Sequence, residues 1–141
     1  MPTAAAAEQA RFDGLRVLLA EDNSTNQLIG IRMLEKLGCR VGVAANGAEA
    51  VTMARDFPYD IILMDMQMPE MDGLEATVKI RELGGEFTHL PIVALTANVM
   101  ESDREACTRA GMDGYLSKPI RRNELLVVLQ RWGRERIENA A

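Results

Sequence analysis

The chain has 141 residues, the length of one ordinary domain, so it provides one hydrophobic core. Hydrophobic residues make up 48% and charged residues 26%, which excludes a disordered, collagen-like or coiled-coil protein. The net charge is −5, and this balance argues against a general nucleic-acid binder, which needs a basic face.

The chain also lacks the sequence signals of secretion and membrane insertion. Its N-terminus has no basic region, and no apolar run approaches the ~20 residues of a membrane helix. Cys39 and Cys107 do not have the spacing of a metal site or a disulfide framework. We therefore expect a cytoplasmic protein without membrane contact, with both cysteines as buried thiols.

Five short apolar runs predict five strands, separated by stretches of helical spacing. The strands are expected at Leu15–Ala20, Arg40–Ala44, Asp60–Met64, Pro91–Leu95 and Gly114–Ser117. This alternation is typical of βα units, so it predicts a parallel sheet with helices on both faces. The first, third and fourth runs are apolar at successive positions, as central strands covered on both faces are.

Helical spacing predicts five helices. The first begins at Ser24, where Gln27 three residues later would complete a capping box, and ends at Gly38. The second follows Asn46-Gly47, and the others are expected at Leu74–Leu83, Val99–Ala110 and about Arg121–Ile137. Residues 1–13 are Ala-rich and are expected to form a flexible tail. Gly30 lies on the inner face of the first helix, which indicates a close approach to the sheet.

Polar side chains follow four of the predicted strands. They are Glu21 and Asp22 after the first, Asp65 after the third, Thr96 after the fourth and Lys118 after the fifth. Taken singly, each has an ordinary explanation as a helix cap, a turn residue or a surface lysine. Because the carboxyl ends of parallel strands meet at one edge of a sheet, together they predict a ligand site there.

The residue types of this group indicate phosphoryl chemistry. Three neighbouring carboxylates repel one another and raise each other's pKa, a conflict that Mg²⁺ would relieve with its preference for oxygen ligands. Asp65 would act as a nucleophile toward phosphorus. Lys118 would supply a second cation and Thr96 a hydroxyl donor for the phosphoryl oxygens.

With these residues in place, the chain resembles the receiver domain of two-component response regulators. The resemblance covers roughly Leu15 to Trp132, and it is most like the receivers of hybrid sensor histidine kinases. The matching stretches are Leu18-Leu19-Ala20-Glu21-Asp22-Asn23, Ile62-Leu63-Met64-Asp65-Met66-Gln67-Met68-Pro69-Glu70-Met71-Asp72-Gly73, Pro91-Ile92-Val93-Ala94-Leu95-Thr96-Ala97 and Gly114-Tyr115-Leu116-Ser117-Lys118-Pro119.

The resemblance implies an α/β fold of flavodoxin-like type. We expect a doubly wound, five-stranded parallel sheet with strand order 2-1-3-4-5 and five helices. The receiver domain would span residues 14–138, followed by a C-terminal tail at 139–141. The Lys118–Pro119 bond is expected to be cis.

The resemblance also assigns roles to individual residues. Asp65 would be the phosphoacceptor, and the Mg²⁺ ligands would be Glu21, Asp22, Asp65 and the backbone carbonyl of Gln67. Thr96 and Lys118 would contact the phosphoryl group, and Thr96 and Tyr115 would form the switch. Gln67, where many stand-alone receivers have Asn, and Asn98 match the positions that tune the dephosphorylation rate.

The function that follows from the resemblance is signalling rather than enzymatic turnover. A histidine kinase or a histidine-containing phosphotransfer protein would pass a phosphoryl group to Asp65, with Mg²⁺ as cofactor and Mn²⁺ as an acceptable substitute. Phosphorylation of Asp65 would change the surface formed by the fourth helix, the fifth strand and the fifth helix. The chain would be a stand-alone receiver or a piece of a hybrid kinase, with no nucleic-acid partner.

Two other functions are alternatives to a receiver. A haloacid-dehalogenase-type phosphatase needs a second Asp two residues after its nucleophile, where this chain has Gln67. A degenerate receiver used only for binding would have lost the acceptor or the lysine, and this chain has both Asp65 and Lys118.

Overall fold

The computed structural model describes residues 11–97 and 101–133, which form a five-stranded sheet covered by helices. The strands are β1 (Arg16–Ala20), β2 (Arg40–Ala44), β3 (Ile61–Asp65), β4 (Ile92–Thr96) and β5 (Gly114–Ser117). The helices are α1 (Ser24–Lys36), α2 (Gly47–Asp56), α3 (Gly73–Glu82), α4 (Glu101–Ala110) and α5 (Arg122–Val128). A 3₁₀ turn covers Gly85–Thr88, and a π-helical turn over Leu129–Gly133 continues α5.

All strand pairs are parallel, and their order is β2-β1-β3-β4-β5. The predicted fold class is therefore confirmed. The order reverses between β1 and β3, which are neighbours in the sheet although β2 separates them in the chain. That reversal leaves a crevice at the carboxyl ends of β1 and β3, where open sheets of this type bind ligands.

Alternation along the strands divides the core into two layers. Odd-numbered β1 residues such as Leu19 pack with Leu34 of α1 and Leu125 of α5. Even-numbered residues such as Leu18 pack on the other side of the sheet, in a layer that includes Ile80 of α3 and Cys107 of α4. The three central strands β1, β3 and β4 are thus buried on both faces, which explains their continuous apolar runs in the sequence.

The start of α1 differs from the predicted capping box. Asn23, not Ser24, is the N-cap residue, and its side chain accepts a hydrogen bond from the Asn26 backbone at 3.0 Å. Ser24 is the first helical residue, and the side chain of Gln27 instead donates to the carbonyl of Glu21. The close approach predicted at Gly30 is present, since a Cβ there would lie 2.7 Å from Leu19 Cδ2.

Two strands are shifted by one residue from their predicted bounds. β3 ends at Asp65 and β4 ends at Thr96, because both residues still pair with the neighbouring strand. The predicted helix ends at residues 99–100 and 134–137 lie outside the described residues, as do Asn98, most of the 1–13 tail and the 139–141 tail. The domain limits 14–138 stay a prediction.

Both cysteines are buried free thiols, as expected. Burial and the nearby Asp13 raise the pKa of the Cys39 thiol to about 11. In the parts of the chain that the structure describes, every helix is too short or too polar to cross a bilayer.

Candidate functional site

Three carboxylates meet at the carboxyl ends of β1 and β3. Glu21 follows β1 directly, Asp22 comes next, and Asp65 is the last residue of β3. Each offers an oxygen, and these oxygens lie within 4.8 Å of one another. Glu21 and Asp65 are only 2% exposed, whereas Asp22 faces solvent. The strand ends thus bring together the acidic residues that the sequence predicted to converge.

Lys118 reaches this group from the far side of the site, just beyond β5. Its Nζ lies 2.9 Å from Asp65 Oδ2 and 3.4 Å from Glu21 Oε2. The backbone N–H of Lys118 donates to the carbonyl of Thr96 at 2.9 Å, and the Lys118–Pro119 bond is cis, as predicted. A single ammonium therefore contacts two buried carboxylates that would otherwise repel each other.

Hydrogen bonds fix the two buried carboxylates in place. Asn26 Nδ2 donates to Glu21 Oε1 at 2.9 Å. The backbone N–H of Gln67 donates to Asp65 Oδ1 at 3.1 Å, while Oδ2 of Asp65 accepts from Lys118. Sequence reasoning missed this contact of Asn26, although its position five residues after Glu21, in the first helical turn, is a usable signal.

The electrostatics of the site follow from burial. Burial raises the pKa of the Glu21 carboxyl, and the adjacent Asp65 raises it further, against the opposing effects of Asn26 and Lys118. Burial alone would lower the pKa of the Lys118 ammonium, but its hydrogen bond to Asp65 and the charges of Asp65 and Glu21 raise it overall. Three carboxylates face one ammonium, so the cluster retains an excess of negative charge and fits a hard divalent cation.

An open cleft of about 360 Å³ gives access to Asp65. Thr96, Gln67 and Lys118 line it. Asp72 and Asp103 line it too, and sequence reasoning missed both. Nothing in the pattern around Asp103 distinguishes it from the neighbouring acidic residues of α4.

The loop after β3 holds Asp65 at the edge of this cleft. A Cβ on Gly73, the first residue of α3, would lie 2.2 Å from the carbonyl oxygen of Asp65, so only glycine fits there. Glu70, within the loop, has a φ of 67°, in the left-handed region. The close packing of α3 against the strand end therefore shapes the loop that follows Asp65.

Tyr115 lies on β5 but is not among the residues that line the cleft. Its hydroxyl is 2.9 Å from the Arg104 carbonyl, to which it donates, and 2.9 Å from the Thr108 hydroxyl. The Arg104 guanidinium lies 5.6 Å from the centroid of its ring. The tyrosine is therefore bound to α4 rather than directed to Asp65.

Comparisons with known proteins agree with this geometry. The model of the response regulator receiver domain family matches residues 17–130. The chain is 48% identical to the receiver domain of the sensor histidine kinase PA1611 of Pseudomonas aeruginosa, whose crystal structure has a magnesium ion in the active site cleft. That match covers 84% of this chain and 97% of the other, with a TM-score of 0.78.

A second solved structure is the complex of the Saccharomyces cerevisiae phosphotransfer protein Ypd1 with the receiver domain of the response regulator Ssk1. The match is 32% identical, covers 86% of this chain and 90% of the other, and has a TM-score of 0.81.

The curated relatives are much longer proteins. Two-component system protein A of Emericella nidulans is 44% identical over 94% of this chain, and hybrid signal transduction histidine kinase G of Dictyostelium discoideum is 45% identical over 84%. The chain spans 20% and 4% of their respective lengths. It belongs to the response regulator receiver domain family, whose members act in two-component and phosphorelay signal transduction.

Proposed function

We propose that Asp65 is the phosphoacceptor of this receiver domain and takes its phosphoryl group from a phosphohistidine. The observation that carries the proposal is the position of its carboxylate, which ends a buried strand, lines an open cleft and lies 2.9 Å from the Lys118 ammonium. A buried carboxylate held by fixed donors is a preorganised nucleophile.

In the proposed step an Asp65 oxygen bonds to phosphorus while the bond from phosphorus to the histidine nitrogen breaks. The nitrogen keeps the electron pair of that bond. Lys118 stabilises the negative charge on the transferring group, and the Thr96 hydroxyl donates to a phosphoryl oxygen. Both residues line the cleft beside Asp65, as these roles require.

Glu21, Asp22, Asp65 and the backbone carbonyl of Gln67 would hold Mg²⁺, with Mn²⁺ as an acceptable substitute. The excess negative charge of the cluster and its oxygen donors suit such an ion. When bound, the ion supplies positive charge that offsets the repulsion between the carboxylates and the incoming phosphoryl group.

Thr96 and Tyr115 are proposed to couple the phosphorylated site to the surface of α4, β5 and α5. Movement of Thr96 toward the phosphoryl group would leave space into which the Tyr115 ring turns. The proposed rate-tuning residues are Gln67, which lines the cleft, and Asn98, which lies outside the described residues.

The proposed partner is a histidine kinase or a histidine-containing phosphotransfer protein. The complex of Ypd1 with the Ssk1 receiver domain, together with the hybrid kinases among the relatives, supports this choice. The domain has no proposed activity beyond its own phosphorylation and dephosphorylation, and its cytoplasmic location stays a prediction. A binding-only role and phosphatase activity are the alternatives that the following experiment excludes.

The test is the stoichiometry of labelling. The chain is incubated with phosphoramidate and Mg²⁺, and its intact mass is recorded. We expect one phosphoryl group per chain, none without Mg²⁺ and none in Asp65→Asn. An absence of labelling would support the binding-only alternative, and continuous turnover of a generic phosphomonoester would support a phosphatase.

A further inference from the structure

Asp103 is a carboxylate in the acceptor cleft that the proposed phosphoryl transfer does not use. It lies in the first turn of α4 and is half-buried. It lines the cleft together with Asp65, Thr96 and Lys118. Any donor that reaches Asp65 through this cleft therefore passes the charge of Asp103, in addition to the three carboxylates that could hold a metal ion.

The packing of α4 supports this placement. Cys107, one helical turn after Asp103, is fully buried against the sheet. Residues four apart lie on the same side of a helix, so Asp103 lies on the sheet-facing side of α4. Burial raises the pKa of the Cys107 thiol, and the nearby charge of Asp103 raises it further.

The Asp103 carboxylate also has fewer polar partners than the other carboxylates of the cleft. Asp65 is paired with Lys118, and Asp72 caps α3 by accepting the Glu75 backbone N–H at 2.8 Å. Among the side chains that the structure describes, those of residues 11–97 and 103–133, none makes a hydrogen bond or ion pair to the Asp103 side chain. Its field therefore acts on whatever enters the cleft.

We propose that Asp103 makes the cleft selective for phosphodonors with a protonated, nitrogen-linked leaving group over anionic acyl phosphates. This inference rests on the proposed role of Asp65 as the acceptor. In an in-line transfer to Asp65 the leaving group lies on the side of phosphorus opposite the attacking oxygen. Because Asp103 lines the same cleft, its charge would repel a leaving group that departs as an anion and attract one that carries a proton.

Two small phosphodonors distinguish an anionic leaving group from a protonated one. Acetyl phosphate reaches the cleft as a dianion; as the bond from Asp65 Oδ to phosphorus forms, the P–O bond breaks and acetate leaves with its electron pair as an anion. Phosphoramidate carries a protonated nitrogen and one net negative charge; its P–N bond breaks and ammonia leaves with the electron pair. Both reactions give the same aspartyl phosphate, so a difference between them reports on the donor alone.

The experiment measures initial rates of Asp65 labelling by each donor, in Mg²⁺, for the full chain. Asp103→Asn is expected to raise the acetyl phosphate rate about threefold or more and to leave the phosphoramidate rate unchanged or lower, as expected for removal of one nearby charge. The ratio of the phosphoramidate rate to the acetyl phosphate rate then falls about threefold or more. High salt should reduce this difference between wild type and Asp103→Asn, because it screens the charge.

Two variants control for structural effects. Asp103→Glu keeps the charge and should keep the wild-type ratio. Glu105→Gln removes one charge from an exposed position of the same helix and should also leave the ratio unchanged. An unchanged ratio in Asp103→Asn, or an equal change in Glu105→Gln, would overturn the role of Asp103. If wild type labels at Asp65 in that case, the proposed function stands; if wild type is not labelled by either donor, both proposals fail.

Discussion

Lys118 determines the charge balance of the cleft at Asp65. Its ammonium contacts Asp65 and Glu21, which are buried, while Asp22 faces solvent nearby. Removing one partner from such a group leaves an uncompensated buried charge, and the side chain of Lys118 is itself only 23% exposed. One ammonium offsets one of the three carboxylate charges, so the remaining repulsion is available to drive cation binding.

Mg²⁺ is therefore expected to stabilise the unphosphorylated domain. A ligand that binds only the native state raises the free energy of unfolding by about 2.7 kcal/mol at 100 times its Kd. Chemical denaturation at increasing Mg²⁺ should show this gain in wild type and a smaller one in Asp22→Asn. Asp56→Asn, an exposed carboxylate at the end of α2, is the control and should respond like wild type. An undiminished response in Asp22→Asn would place the ion elsewhere.

The buried Cys39 thiol is expected to make the stability of the domain depend on pH. Its pKa in the folded state is about 11, raised from 9.0, so the folded chain holds this proton more tightly than the unfolded chain. The contribution of this protonated thiol to the free energy of unfolding is complete below pH 9 and is lost as the pH rises toward 11. Iodoacetamide at pH 9 should modify Cys39 far more slowly in the native protein than in denaturant, as followed by peptide mass mapping. Equal rates would contradict its burial.

At the scale of elements, the loop after β3 is held between two helix starts. The backbone N–H of Gly47, at the start of α2, donates to the Met71 carbonyl at 3.0 Å, and that of Gly73 donates to the Met66 carbonyl at 3.1 Å. A Cβ on either glycine would meet loop or strand-end backbone within 2.3 Å. These contacts position Asp65 through its neighbours in the chain.

Gly73→Ala should therefore disturb the loop after β3. The new methyl would meet the Asp65 carbonyl, which cannot move without the strand, so we expect a loss of stability of about 1–3 kcal/mol and slower labelling of Asp65. Gly30→Ala is the matched control. Its Cβ would lie 2.7 Å from Leu19 Cδ2 and 3.7 Å from Ile120 Cδ1, which are side-chain ends that can shift, unlike backbone. A helix also gains about 1 kcal/mol from Ala over Gly, so we expect a smaller loss than in Gly73→Ala. Denaturation midpoints of the two variants measure the difference; equal losses would contradict the account.

The sequence predicted the elements well because their signals are local. β2 and β5 have their predicted bounds, and the central strands were recognised from their apolar runs. The ends of β3 and β4 were missed by one residue because Asp65 and Thr96 are polar yet still pair with a neighbouring strand. The N-cap of α1 was misplaced because Asn23 and Ser24 are both good capping residues, so residue type alone could not choose between them.

At the scale of the whole molecule, the contacts of Tyr115 suggest how a change at Asp65 would reach the surface of α4. Thr96 of β4 pairs with Ser117 of β5, and Ser117 lies two residues after Tyr115. The Tyr115 hydroxyl is bonded to α4, so an inward turn of the ring would break these bonds and change how α4 contacts β5. Sequence reasoning could not find these partners, because they depend on how α4 packs.

Phosphorylation is expected to move Tyr115 only when Thr96 is present. With beryllofluoride as a mimic of the phosphoryl group, NMR signals of Tyr115 should shift in wild type and shift much less in Thr96→Ala. Couplings between sites are commonly about 1–3 kcal/mol, so the inward conformation should already be partly populated without the mimic. Equal shifts in both proteins would show that the two residues are not coupled.

At the scale of the whole molecule, the sequence could predict that the strand ends converge. It could not predict which further charged side chains line the cleft. Parallel strands bring Glu21, Asp65 and Lys118 to one edge whatever the details of packing. The position of Asp103 depends on the rotation of α4, which a short amphipathic pattern does not determine to within one residue.

The most direct test of the account is the location of the phosphoryl group. Wild-type chain is labelled with phosphoramidate in Mg²⁺, reduced with borohydride, which converts an aspartyl phosphate to homoserine, and mapped by tandem mass spectrometry. We expect homoserine at position 65 and at no other carboxylate of the site. Homoserine at Asp22 or Asp103 instead, or persistent labelling in Asp65→Asn, would contradict it.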